Sequence, residues 1–353
     1  MTQKYSSISR RHLLKLLASG LLALSGSARI FGVTANQLFT AEVDSITPEL
    51  PGRVVICRHQ NPWQANGRPN PELVRLMLDQ AMLRLTGLDD LKAAWQLFFR
   101  PEEVISLKVN AASFPVTSPA LTLAVADSLI EAGLKANNII IWDQQEKTLK
   151  RAGYQLNQSG QGVRCYGSDS YGKILFKKVF RLRYDFSPVS FGTASSRLSK
   201  IFSQHSTATI NLPVLKDHYI TGITATMKNM LGGIDNPEAY HDDQGNPSLA
   251  DLHLIPQVRK RIRLNVVDLL KPLYHGGPHG QPNRQWPYQG IMIGTDKAAM
   301  DYLAWQMVEE QRKQNGLKSL KQEHRKPGYI QTAAQKGLGI ANPEKIELIE
   351  IAL

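Results

Sequence analysis

The sequence predicts an α/β fold, a mixed or mostly parallel sheet flanked by helices, with an irregular or antiparallel insert around residues 154–200. Three observations point to it. Short apolar runs such as VISLKV, from Val104 to Val109, and IIIW, ending at Trp142, read as strands buried on both faces. Segments of helical period lie between such runs, so strand, helix and strand follow one another with short crossovers. The 154–200 stretch instead carries glycine-rich turns and alternating basic and aromatic residues from Ile174 to Phe186.

The elements follow in order. After a polar connector with Pro48 and Pro51, Arg53 to Cys57 reads as a first strand. Pro71 opens a helix to Gly87, with Leu73, Leu76, Met77, Ala81 and Leu85 on its apolar side. A second helix runs from Asp89 to Phe99 and is stopped by Pro101. Ser118-Pro119 starts a third, ending at Gly133. Ala208 to Leu212 is a buried strand that leaves Pro213 to His218 at its end, and Thr221 to Leu231 reads as a helix closed by Gly232-Gly233. Leu249 to Arg261 is partly helical, Arg263 to Leu269 and Gly290 to Gly294 are strands, Lys297 to Lys313 is a long helix, and Ile346 to Ile351 closes the sheet.

The chain begins with a different kind of segment. Arg10-Arg11 precedes an apolar run from Leu16 to Leu24, which is shorter than the roughly 20 residues a membrane span needs. Small residues follow, and Val33-Thr34-Ala35 suits cleavage after Ala35. The string Ser9-Arg10-Arg11-His12-Leu13-Leu14-Lys15 resembles the twin-arginine export signals. That resemblance implies passage through the twin-arginine translocase, a periplasmic or otherwise exported location, and no stable transmembrane span once the signal is cleaved. An uncleaved, membrane-anchoring signal is the alternative. The expected organisation is therefore a signal peptide at 1–35, a connector at 36–52 and one α/β domain at 53–353.

The signal holds Lys4, Arg10, Arg11, Lys15 and Arg29 and no acid, so five of the excess positive charges in the net +12 belong to it. No basic run with interleaved aromatics points to nucleic acid, which is excluded as a partner. With 2 cysteines, Cys57 and Cys165, the chain lacks the four ligands of an iron–sulfur cluster. Whether these two pair is left open. The sequence also has no G-x-S-x-G nucleophile elbow and no ordered glycine fingerprint for a dinucleotide.

Candidate chemistry gathers where parallel strands end, the edge at which α/β sheets bind ligands. Lys108, Asn110 and Asp143 sit there, and Lys216, Lys228, Asn229 and Asp268 join them as candidates for holding a small carboxylate or phosphate. Lys108 interrupts an apolar strand, so it needs a partner, which Asp143 or Asp268 would supply. His218 and His241 with Asp217 and Asp242 are the candidate ligands of a divalent metal. His218, His241 and Lys216 are the candidate catalytic groups. Asp296 is read as a helix N-cap.

Two further strings gather these residues. Asn211-Leu212-Pro213-Val214-Leu215-Lys216-Asp217-His218 is followed by Lys228-Asn229-Met230-Leu231-Gly232. Together they resemble the family catalogued as domain of unknown function 362, where an N-x-P-x-x-K-x-H turn precedes a K-N-x-x-G helix end. Lys108-Val109-Asn110, Thr117-Ser118-Pro119, Asp143, His241, Val267-Asp268, Gly276-Gly277-Pro278 and Gly294-Thr295-Asp296 extend the resemblance over roughly residues 53–305. Many relatives carry a cysteine-rich ferredoxin-like segment that this chain lacks, so no redox role is implied. The layout is also similar, at the level of fold analogy only, to the nickel-pincer lactate racemases. Three classes fit the same residues: an enzyme on a small anion, a non-catalytic periplasmic ligand- or metal-binding protein, and an accessory factor for another exported enzyme.

Overall fold

A computed structural model of the protein describes residues 50–172 and 183–353. The expected signal segment at 1–35, most of the connector, and residues 174–182 of the expected strand region lie outside them.

The first strand, β1 (Arg53–Arg58), leads to helix α1 (Pro71–Thr86). Asn70 caps that helix by accepting from Glu72 N and Leu73 N, and Gly87 ends it at φ 73°, where a side chain would be strained. A short helix α2 (Leu91–Gln96) starts on the Asp90 carboxylate. Then come β2 (Ile105–Val109), α3 (Pro119–Glu131), β3 (Ile139–Trp142), α4 (Glu146–Arg151) and a two-residue strand β4 (Arg164–Cys165). An antiparallel hairpin of β5 (Val189–Phe191) and β6 (Ala194–Ser196) stands as a separate two-stranded sheet, as the irregular insert predicted. Helix α5 (Lys200–Ser203) and strand β7 (Ala208–Leu212) return the chain to the main sheet.

The next stretch departs from expectation. Residues after Pro213 form a strand, β8 (Val214–His218), which turns at Gly222 into an antiparallel partner, β9 (Gly222–Thr224). The predicted helix from Thr221 therefore shrinks to one turn, α6 (Thr226–Asn229), followed by a 3-10 turn over Met230–Gly233. Gly222 at φ 80° makes the hairpin, and Ile223 and Thr224 are β-branched residues suited to it. The expected helix at 249–261 is likewise two, α7 (Ser248–Leu254) and α8 (Pro256–Arg261), broken because Pro256 pushes Ile255 into an extended conformation. Strand β10 (Ile262–Leu273), strand β11 (Gly290–Gly294), helix α9 (Lys297–Gln314), an unpredicted helix α10 (Tyr329–Gln335) and strand β12 (Glu347–Ala352) complete the order.

The main sheet runs β12-β1-β11-β10-β7-β2-β3-β4, with β8 and β9 attached beyond β10. Most pairings are parallel; β11 is antiparallel to both neighbours. The sheet lies between two cores, and strand residues alternate between them. Val55, Leu107, Ile141 and Ile210 face α1 and α3, while Val54, Ile140, Val267 and Met292 face α7, α9 and α10. Cys57 and Cys165 are buried and free. They sit on β1 and β4, six strand positions apart, about 29 Å at ~4.8 Å per strand and far beyond the ~7 Å limit for a disulfide.

Candidate functional site

On the α9 side, the apolar alternation fails in three adjacent strands. Lys108 of β2, Asn211 of β7 and Asn265 of β10 are in register across the sheet centre, all fully or nearly fully buried. Asn211 Nδ2 donates to Asn265 Oδ1 (2.9 Å) and to Thr226 O (2.8 Å). Asn229 Nδ2 donates to Asn211 Oδ1 (2.8 Å) and Lys108 O (3.0 Å). This amide row ties α6 onto the sheet. A four-residue helix has no stability alone; Asp301 of α9 holds it from the other end, its carboxylate accepting from Thr226 N (2.6 Å) and Met227 N (3.1 Å). Burial pushes Asp301 up to about 6, against the hydrogen bonds from Thr226 and Met227. His253 Nε2 also bonds Met227 O at 2.9 Å.

Two lysines are enclosed beneath this helix. Lys108 Nζ is 2.8 Å from Asp143 Oδ1 and donates to Val109 O at 2.7 Å, over the Trp142 ring. Asp143 accepts in addition from Ala111 N (2.7 Å) and Gln144 N (2.8 Å). Gly232 closes over this pair. A Cβ there would stand 2.5 Å from Asp143 Oδ1 and 2.7 Å from Lys108 Nζ, so only glycine lets the turn come so near. Lys216 reaches from β8 into the loop after β2. Its ammonium meets four neutral acceptors: Asn110 Oδ1 (2.8 Å), Ser113 O (2.7 Å), Ser113 Oγ (3.0 Å) and Pro115 O (3.0 Å). Burial pushes Lys216 down to about 7; Asp143 opposes the shift, and Lys228 and Lys108 add to it.

Lys228 is placed differently. Its Nζ has one hydrogen-bond partner among the described residues, His241 Nε2 at 2.8 Å, and burial pushes it also down to about 7, with Glu238 opposing. The His241 ring stacks on His218 (centroids 5.3 Å apart), which stacks on the exposed Tyr219 (5.1 Å). His218 Nδ1 accepts from Ile220 N (3.2 Å) and Thr221 N (3.3 Å). Its proton therefore sits on Nε2, and burial with nearby Lys228 holds the ring neutral, down to about 2. His241 is lowered too, by burial and by Lys228. With that ring neutral, Nε2 accepts from Lys228. Its Nδ1 is buried without a hydrogen-bond partner, since Glu238 Oε2 at 3.4 Å is poorly aligned. This mouth thus offers one amine, one neutral imidazole N–H donor and one imidazole acceptor.

The sequence-predicted residues divide accordingly. Lys108, Asn110, Asp143, Lys216, Lys228, Asn229, His218 and His241 come together. Asp268 does not join them: it accepts from Ser118 N (2.8 Å) and Leu270 N (2.9 Å), pinning the start of α3, and burial pushes it up to about 6. Asp217 is held by Arg325, by Arg312 at 3.8 Å and by Gly277 N at 3.1 Å, while Asp242 is exposed. Among the described residues no group of three or more His, Cys, Asp or Glu side chains is placed to hold a metal ion. His218, as oriented, is a donor rather than a ligand, because a metal on Nε2 needs the proton on Nδ1. Asp296 caps α9 through Ala299 N (2.9 Å) and also accepts from Gly52 N and Ile340 N. The site residues that sequence reasoning missed are Asn211 and Asn265 as bridging amides and Asp301, Arg312 and Arg325 as anchors. The polar interruption that marked Lys108 in its strand also marks Asn211 and Asn265 in theirs. Two surface cavities of about 460 and 440 Å³ lie elsewhere, one beside Glu309, Lys313 and Gln322, the other beside Arg75, Trp95 and Glu131. No helix among the described residues is long and apolar enough to cross a membrane.

Comparison with solved structures finds the lactate racemase apoprotein from Thermoanaerobacterium thermosaccharolyticum at 11% identity and a TM-score of 0.43, covering 72% of this chain and 57% of that one. A protein from Thermotoga maritima overlaps at 11% identity and a TM-score of 0.37, covering 76% and 59%. The chain thus spans less than two thirds of either, and overlaps of this quality say nothing of its chemistry. No curated protein matches. The family model described as "Domain of unknown function (DUF362)" matches residues 105–306, the stretch that contains β2, β3, β7, β8 and α6 with every lysine and histidine of the mouth. The chain belongs to that family.

Proposed function

We propose that this protein binds a small anionic ligand, a carboxylate or a phosphate, at the mouth formed by Lys228, His218 and His241. The observation that carries the reading is a charge imbalance. Lys108 and Lys228 both act on the buried Lys216, where Asp143 is the one carboxylate that opposes them, and at Lys228 itself only Glu238 opposes burial. Buried charge without a counter-ion is costly, and an arriving anion relieves it. Lys108 and Lys216 already spend their N–H groups on protein oxygens, so they contribute a fixed positive field. Lys228 and the His218 Nε2–H are left to make the contacts, and the exposed Tyr219 marks the way in.

Calorimetric titration with lactate, pyruvate and inorganic phosphate tests this. One of them should bind, and Lys228→Met should weaken it at least tenfold, about 1.4 kcal/mol. Absence of binding by all three, or equal affinity in the variant, removes the reading. We propose further that the protein is exported through the twin-arginine route, on the support of the Ser9–Lys15 string. Replacing Arg10 and Arg11 by lysine should retain the chain in the cytoplasm on cell fractionation; unchanged export would refute the route.

A further inference from the structure

Among the three lysines of this site, Lys228 alone makes no hydrogen bond to an oxygen among the described residues. Lys108 is fixed by a carboxylate, a carbonyl and an aromatic ring, and Lys216 by four oxygens. Lys228 Nζ touches a single neutral imidazole, whose Nε2 accepts and therefore stabilises no extra positive charge by a counter-ion. Its backbone, by contrast, is held from several sides. It is pinned through Thr226 and Met227 to Asp301, through Met227 O to His253, and through Asn229 to the amide row. A precisely held, buried amine beside a proton acceptor, with the ammonium of Lys216 near it, is an arrangement that makes a lysine nucleophilic.

We propose that Lys228 is a carbonyl-capturing nucleophile, forming an imine with a small 2-oxo acid whose carboxylate occupies the anion site. The inference rests on the reading above for the carboxylate and adds the amine chemistry. The Nζ lone pair attacks the keto carbon while the C=O π pair moves to oxygen. His241 Nε2, 2.8 Å away, takes a proton from Nζ and returns it to that oxygen, giving the carbinolamine. The nitrogen lone pair then expels the hydroxyl, which leaves as water with one proton taken from solvent, and a protonated imine remains. No oxidant or reductant is consumed. The nearby His218 Nε2–H is placed to donate to the carboxylate or the departing oxygen. The lowered basicity of Lys228 leaves a substantial fraction of the amine unprotonated near neutral pH.

The test is reductive trapping of the full chain with pyruvate and sodium cyanoborohydride, followed by digestion and mass spectrometry. The expected result is one reduced pyruvate adduct per chain, on the peptide carrying Lys228. Lactate, the hydroxy acid of the same size, should protect that peptide. Lys228→Arg, which keeps the charge but forms no such imine, should lose the adduct. An adduct spread evenly over exposed lysines, or none on Lys228, overturns the inference. If lactate still binds in that case, the anion reading stands and only the imine fails. If lactate and pyruvate both fail to bind, the two fall together.

Discussion

The two lysine settings of this fold, the enclosed corner around Lys108 and Lys216 and the mouth around Lys228, are built from the same residue type and lie on the same side of the same sheet. In the corner Lys108 has a carboxylate, a carbonyl and an aromatic ring and Lys216 has four oxygens, and one glycine, Gly232, seals the turn above. At the mouth the amine has one partner, and three stacked rings lead outward to Tyr219. The corner is internally coordinated, whereas the mouth has fewer partners among the described residues, which is what the proposed anion site draws on. A buried charge thus has two stable solutions, complete internal coordination or a partner that comes from outside.

Substitutions that attack the corner should act on stability. Asp143→Asn leaves Lys108 charged, buried and unpaired, and should cost about 3 kcal/mol or more in urea unfolding. Gly232→Ala forces a methyl group against the same pair and should cost about 1–3 kcal/mol by the same measurement. Lys228→Met should reverse the pattern. Its unfolding free energy should stay within about 1 kcal/mol of the parent, since burial of the ammonium was unfavourable to begin with, while anion affinity falls at least tenfold. If Lys228→Met unfolds the protein instead, the distinction between the two settings is wrong.

A pH series sharpens the same comparison with smaller effects. Lys216 and Lys228 drop from an ordinary 10.5 to about 7. Between these values the unfolded chain binds more protons than the folded one, so these groups make stability rise with pH from about 7 to about 10.5; their penalty is full below 7. Asp268, raised from 3.8 to about 6, acts oppositely in sign and window: its penalty is full above 6 and is relieved as pH falls from about 6 to about 4. Anion affinity should decline as pH rises past 7, because Lys228 loses its proton there. Urea titrations and calorimetry between about pH 5 and pH 10 check both slopes, and Lys228→Met should flatten the binding profile.

What the sequence revealed, and what it hid, follows the range of the interactions. Lys108 could be singled out because a charge inside VISLKV violates local patterning, and its partner Asp143 ends the neighbouring strand. His218 and Lys228 were gathered by the two strings that resemble the family, and His241 by the separate pieces that extend the resemblance. The hairpin at Gly222 was missed because Thr221 to Leu231 has an apolar pattern compatible with a helix, and the fold overrides it: Gly222 lies against Arg325 O and Pro327, where a turn fits and a helix does not. Asp217 stands beside a histidine, which locally suggests a metal ligand, while the partners that the fold gives it, Arg312 and Arg325, are about a hundred positions away, beyond the reach of any local pattern.

That distance carries a consequence for how the molecule is made. Arg325, 108 residues after Asp217, also donates to His218 O at 3.1 Å, so the backbone under the mouth is clamped by a late-synthesised segment. At the sheet edge, β12 pairs with β1, joining Glu347 to Arg53 across nearly the whole described chain. A chain synthesised only as far as the residue before Arg325 has neither the clamp nor the edge strand. Assembly of the mouth therefore waits on that late segment, and a chain that stops short of it would present its lysines on an unfinished sheet.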